Sequence, residues 1–276
     1  MSSLSKKVIF ITGATRGIGR EIALKCARDG AIIVITGKTE KAHATLPGTL
    51  SSVAEEVEAA GGIPFPIRLD VRNEQDIHYA VERVIEQFGG IDILINNASA
   101  IQLTPTEQTP MRRFDLMFDV NVRATFAMSQ ACLPHLVKAK NPHILTLSPP
   151  INLAPKWFRG HLAYTMSKYG MSMCTLGLAE EYKAQGVGVN SLWPKTIIAT
   201  MAIKVHFPEE FWKHSRKPAI MADAAYGILT SDSKIHTGNF YIDEDFLRAQ
   251  GVKDFSSYAV EEETDLLPDL FLGEDM

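Results

Sequence analysis

Cysteine is scarce in this 276-residue chain: Cys26, Cys132 and Cys174 make an odd number with no close spacing. That excludes a disulfide framework and a thiolate zinc set. It points to a reducing, cytoplasmic setting, with the three side chains as small buried hydrophobes. No apolar run approaches the roughly 18 residues that a membrane span needs. Met1 to Lys7 is short and polar, and the strand behind it leads into a glycine turn, so no signal segment is expected. An excess of basic charge is absent too. The 28 Lys and Arg stand against 32 Asp and Glu, for a net charge of −4, so nothing draws the chain to nucleic acid or anionic lipid. The eight histidines show no metal spacing such as H-E-x-x-H, and no metal is expected. No internal repeat and no break in composition marks a second domain.

What is present is a regular alternation of short apolar runs with helix-period stretches. Val8 to Ile11, Ile32 to Ile35, Pro66 to Leu69, Ile91 to Ile95, Ile144 to Leu147 and Val187 to Trp193 read as strands. Between them lie helices such as Glu74 to Phe88, where Ile77, Val81, Val84 and Phe88 recur on one face. Near-continuous apolar strands separated by amphipathic helices imply a parallel sheet covered on both faces. The expected fold is an α/β, doubly wound parallel sheet of the Rossmann type, one domain over residues 1–276. Two stretches stand apart: a long polar connection from Lys38 to Ser51, containing Pro47-Gly48, and a tail from Glu261 to Met276 with seven acids and no Lys or Arg. The tail reads as a solvated or loosely docked terminus, with the apolar trios around Leu266-Leu267 and Leu270 to Leu272 as its packing points.

Directly after the first strand, Thr12-Gly13-Ala14-Thr15-Arg16-Gly17-Ile18-Gly19 opens a helix. Glycines there let the backbone turn tightly and approach a pyrophosphate at the positive end of the helix. The spacing is G-x-x-x-G-x-G. Further on come Asn96-Asn97-Ala98-Ser99 after the fourth strand, Asn121 within a helix, and Tyr164-Thr165-Met166-Ser167-Lys168. These four motifs, in this order, resemble those of the short-chain dehydrogenase/reductase family, whose N-N-A-G motif has Ser99 in place of its glycine here. The 38–51 connection, the Leu147 to Pro150 run, Trp193 to Thr196 and the tail look like one subgroup of it.

The resemblance implies a nicotinamide cofactor held by Gly13, Ala14, Thr15, Arg16, Gly17, Ile18, Gly19, Asn97, Ala98 and Lys168, with Asp70 on the adenine and Val71 beside it. An acid just past the second strand would hydrogen-bond the ribose of NAD and repel the phosphate of NADP. That position holds Gly37, followed by the cation Lys38, and Arg16 can face the same phosphate. Glu40 lies too far beyond the strand end to serve. NADP is therefore the expected cofactor.

Tyr164 and Lys168 are four residues apart and share one face of a helix. An ammonium near the phenol favours phenolate and lowers its pKa, tuning Tyr164 to exchange a proton with a carbonyl/alcohol pair. The resemblance implies that Lys168 also meets the nicotinamide ribose and that Asn121 holds a water linking it to solvent. Most relatives carry two serines after the fifth strand, the second on the substrate carbonyl. Here Ser148 stands at the first position and Pro149, which has no donor, at the second. Either Ser148 is redirected to the substrate, which is the expectation adopted, or it only ends the strand. The pocket wall is expected from Ile101, Trp157, Phe158, Trp193 and the stretch from Met201 to Trp212, which favours a lipophilic small molecule. Tyr169 to Ala179 is uncharged for eleven residues. In this family such a helix packs on its copy, so a homodimer or homotetramer is expected. The alternative to an enzyme is a catalytically quiet NADP-binding sensor.

Overall fold

The computed structural model describes residues 3–39, 48–262 and 264–272. Glu40 and Pro47, with most of the polar connection between them, lie outside the described residues. Seven strands form one parallel sheet: β1 (Val8–Ile11), β2 (Ile32–Gly37), β3 (Ile63–Arg68), β4 (Ile93–Asn96), β5 (His143–Thr146), β6 (Gly188–Trp193) and β7 (Phe240–Ile242). Their spatial order is β3-β2-β1-β4-β5-β6-β7, with every neighbouring pair parallel. The order reverses between β1 and β4, and the crevice beyond their carboxyl ends is where this architecture places ligands.

Helices cover both faces. They are α1 (Gly17–Ala27), α2 (Leu50–Ala59), α3 (Glu74–Phe88), α4 (Met111–Met117), α5 (Ala124–Leu136), α6 (Leu162–Glu181), α7 (Met201–His206), α8 (Glu210–Lys213), α9 (Ala219–Leu229) and α10 (Asp243–Ala249). Alternation along the strands divides the core in two. Ile9, Ile11, Ile33 and Ile35 pack with α1 and α9 on one face, and Phe10, Val34, Leu94 and Ile144 pack with α3 and α5 on the other. Each such buried side chain contributes about 1.5–3 kcal/mol. α3 starts at the Asn73 cap, whose side chain accepts from Gln75 and Asp76, and stops at the left-handed Gly89, φ 78°.

β3 begins at Ile63, three residues before the expected start at Pro66. Pro64 and Pro66 lack donors, yet β3 is an edge strand that bonds only β2, so no ladder is broken. β7, three half-buried residues on the other edge, carries too little apolar pattern to be read from sequence. The tail packs through its apolar residues as expected, but more firmly than a loosely docked terminus. Pro268 bridges Thr196 antiparallel, Ile197 donates to the Leu267 carbonyl at 3.0 Å, and Phe271 is fully buried. No helix among the described residues is long and apolar enough to cross a membrane, and none of their His, Cys, Asp and Glu gather as a metal set.

Candidate active site

The glycine turn joins β1 to α1 at the reversal point. Gly13 and Gly17 have φ of 65° and 56°, which L side chains rarely adopt. A Cβ on Gly19 would come within 2.4 Å of the Asn97 amide nitrogen, so the turn closes only with glycine there. Asn97 Nδ2 donates to the carbonyls of Thr12 at 2.8 Å and Gly13 at 3.0 Å. The Asn97 and Ala98 amides both donate to Thr12 Oγ1 at 3.0 Å. The loop after β4 is thereby clamped to the turn. Ala14 donates to the Thr36 carbonyl at 2.9 Å, and Thr15 lies so close to Gly37 that a Cβ there would meet it at 2.9 Å. These residues make a backbone-lined cradle that side chains would fill, and it fits a nucleotide phosphate.

Gly37 ends β2 flanked by cations. Arg16 donates to Thr39 Oγ1 at 2.9 Å, and the exposed Lys38 ammonium lies 3.9 Å from Asp70. Arg72 forks onto the same carboxylate, at 2.6 Å in its shortest contact, and holds its pKa down to about 2. Val71 is buried in the same core as Phe10, Leu69 and the inner faces of α3 and α5.

One cavity of about 300 Å³ joins this cradle to the reacting pair, with Ile18 and Asn97 on one side and Tyr164 and Lys168 on the other. Both side chains project from α6 and are buried. Lys168 Nζ donates to the Leu147 carbonyl at 2.6 Å and lies 5.1 Å from the centre of the Trp193 ring. Burial pulls its pKa down to about 7, against a smaller opposing pull from Asp269. Tyr164 differs from expectation. Burial, and next the charge of Asp269, push its phenol pKa upward, where an ammonium against the ring would have lowered it. The phenol is thus protonated at neutral pH, the state of a proton donor.

Asn121 is fully buried in a π-helical turn, Phe118–Arg123, between α4 and α5. Its amide accepts from the Ala100 amide at 2.8 Å and donates to the Ala100 carbonyl and Ser167 Oγ, both at 2.9 Å. It ties the loop after Asn97 to the helix that carries Tyr164 and Lys168.

Ser148 is not brought to the cavity. Its hydroxyl is fully buried and shares a 2.8 Å hydrogen bond with Ser191 on β6, which shares another of 2.8 Å with Thr175 on α6. Leu147, the neighbour that faces the other way, lines the cavity instead. Both residues lie past the end of β5, where the Ser148 amide donates back to the Thr146 carbonyl at 2.9 Å and the chain turns. The wall is apolar as expected at Ile101, Trp193, Ile203, Phe207 and Phe211. Trp157 and Phe158 pack outside it, around Phe271 and Tyr169, and Trp212 is absent from the lining. Asp269, Ser99 and Thr200 also line the cavity, and sequence reasoning did not place them there. For Asp269 the available signal was an acid set between two apolar trios of the tail.

Comparison with known proteins follows the same lines. The family model for short chain dehydrogenases matches residues 7–209. Hydroxysteroid dehydrogenase-like protein 2 of Danio rerio is 57% identical over 264 residues, covering 96% of this chain and 63% of that protein. The Homo sapiens protein of the same name is 53% identical over 266 residues, again 96% of this chain and 63% of the relative. The chain thus spans less than two thirds of the length of these relatives. A crystal structure from Xanthomonas campestris, assigned as a dehydrogenase, superposes with a TM-score of 0.96 at 52% identity, covering 99% of this chain and all of that one. A metagenomic short-chain oxidoreductase solved in complex with NADP superposes with a TM-score of 0.73 at 27% identity, covering 87% and 98%. The chain belongs to the short-chain dehydrogenase/reductase family of oxidoreductases.

Proposed function

We propose that this protein is an NADP-dependent oxidoreductase acting on a lipophilic carbonyl/alcohol pair. The observation that carries the reading is the single cavity in which Tyr164 and Lys168 face Ile18 and Asn97 of the phosphate turn. The nicotinamide, when bound, supplies or accepts the hydride. Tyr164, kept protonated by burial, donates its phenolic proton to the carbonyl oxygen and recovers it in the alcohol direction. Lys168, which donates to the Leu147 carbonyl, would hold the cofactor ribose. Asn121 positions the segment from Ala100 and, through Ser167, the catalytic helix. Ile203, Phe207 and Phe211 exclude water from the reacting centre. A small lipophilic carbonyl fits a largely apolar cavity of about 300 Å³. The sensor alternative is less favoured, because both reacting groups line the cavity. The free cysteines, two of them buried, support a reducing cytoplasmic setting.

The preference for NADP rests on Gly37 and on the cations Lys38 and Arg16 beside it. The NADP complex of the metagenomic relative agrees with it. NADPH raises the melting temperature more than NADH at equal concentration, because a ligand stabilises in proportion to its affinity for the folded state. Lys38→Asp reverses the order, since the new acid repels the phosphate and adds to Asp70. Equal shifts from both cofactors in the unaltered protein would overturn the assignment.

The outer face of α6 supports a homodimer. Met166, Met173 and Leu176 are 42%, 59% and 47% exposed at helical spacing, and nothing lies near Gly177 to obstruct a second helix. Phe126 of α5, 54% exposed, borders the same face in a groove with Leu178. Equilibrium sedimentation gives at least twice the chain mass for the unaltered protein and the chain mass for Met173→Glu combined with Leu176→Glu. An unchanged mass in that variant rejects α6 as the interface.

A further inference from the structure

The tail delivers one carboxyl group to the cavity. Asp269 is the only acid among the described residues that line it, alongside Tyr164 and Lys168. Its position is fixed from both directions along the chain. Its own amide donates to the Lys195 carbonyl at 3.1 Å, and Pro268 before it bridges Thr196. After it, Trp193 Nε1 donates to the Leu270 carbonyl at 2.9 Å, and the Phe271 ring is anchored beside Tyr164, centres 6.2 Å apart and planes inclined by 30°. Phe271 holds a φ of 72°, which a bulky residue adopts only where its surroundings over-determine it. Within the carboxyl group, Oδ1 accepts from the Leu270 amide at 2.7 Å, and Oδ2 takes part in no hydrogen bond among the described residues. On the β5 side, Pro149 offers no donor and the Ser148 hydroxyl is spent on Ser191.

We propose that Asp269 is a further catalytic residue, a second hydrogen-bond donor to the substrate's carbonyl oxygen beside the Tyr164 phenol. The proposal rests on the oxidoreductase reading above and assigns the group that completes it. Tyr164 transfers its proton to the oxygen as hydride reaches the carbon, while Asp269 keeps its own proton and shares it as a hydrogen bond with the developing oxyanion. Burial pushes the Asp269 carboxyl up to about 7, so a large fraction is protonated near neutral pH. The charged groups around it act in both directions. Lys168 on α6 favours the carboxylate and Asp243 on α10 disfavours it, while Tyr164 on α6 is neutral in this range. The Lys195 ammonium is turned away, onto Glu244 and Asp245. A carboxyl that must carry its proton implies that reduction slows as pH rises through about 7.

The test compares the unaltered protein with Asp269→Asn, Asp269→Ala and Tyr164→Phe on the best substrate of a carbonyl panel with NADPH. The Asn amide keeps a donor in the same shape, so its turnover stays within a few-fold of the unaltered protein and falls less steeply through pH 7, where, of these groups, only Lys168 still titrates. Asp269→Ala keeps its NADPH-induced melting shift and loses about 10- to 10³-fold in kcat. Native turnover in Asp269→Ala overturns the proposal, as does an equal loss in the Asn and Ala variants. So does an Asn variant that retains the wild-type fall through pH 7; this last comparison relies on no truncated side chain. Turnover abolished in Tyr164→Phe with native turnover in Asp269→Ala rejects this inference alone. Native turnover in Tyr164→Phe rejects the oxidoreductase reading itself.

Discussion

Tyr164→Phe leaves the fold and NADPH binding in place and lowers carbonyl reduction by roughly 10²-fold or more. The phenol oxygen makes no hydrogen bond among the described residues, so removing it strands no buried partner. The ring itself, which packs against Phe271, remains. What is lost is the proton that burial keeps on the oxygen at neutral pH. The measurement is steady-state turnover beside an NADPH thermal-shift control. Ser148→Ala is the contrast in the same assay. Its hydroxyl belongs to the Ser191–Thr175 chain, so the change costs about 1 kcal/mol of stability and leaves turnover near native. Near-native turnover in Tyr164→Phe would remove it as proton donor, and a large loss in Ser148→Ala would return that serine to the site.

The parts of the site legible in the sequence are those set by local chain geometry. A glycine turn between a buried strand and a helix is a short-range pattern, as is a Tyr and a Lys four residues apart on one helix face. The apolar strands β1, β2 and β4 were legible because a strand buried on both faces leaves a nearly unbroken run. Ser148 departs from expectation because the chain turns just past β5, sending its hydroxyl to Ser191 while Leu147 lines the cavity, and no local signal in the sequence sets that turn. The phenol's raised pKa was missed for a related reason. Spacing brings Lys168 to the same face as Tyr164, but the ammonium is captured by a carbonyl from another element, that of Leu147. Asp269 is about a hundred residues from Tyr164 in the chain and reaches it only because the tail pairs with the segment after β6. That pairing is a long-range contact without a motif.

Phe271→Ala destabilises the protein by about 3–5 kcal/mol, the range for deleting a large buried aromatic side chain. The ring is fully buried, with centres 5.3 Å from Tyr169, 5.8 Å from Trp193 and 6.0 Å from Trp157. Alanine at the same φ of 72° keeps the backbone strain, so no relief offsets the lost packing. The tail can respond by leaving its dock, which limits the cavity but gives up the Lys195 and Trp193 hydrogen bonds and withdraws Asp269. In either case the melting temperature falls by roughly 2–4 °C for each kcal/mol lost, the scaling for chains somewhat shorter than this one. Turnover falls with it if the tail withdraws. Leu153→Ala, at a side chain 71% exposed, is the control and shifts stability by less than about 0.5 kcal/mol. If Phe271→Ala melts with the unaltered protein, the tail is not docked on the catalytic tyrosine in solution. A lowered melting temperature with native turnover separates the two roles of this segment. Phe271 would then contribute packing alone, and the Lys195 and Trp193 hydrogen bonds would suffice to keep Asp269 in the cavity.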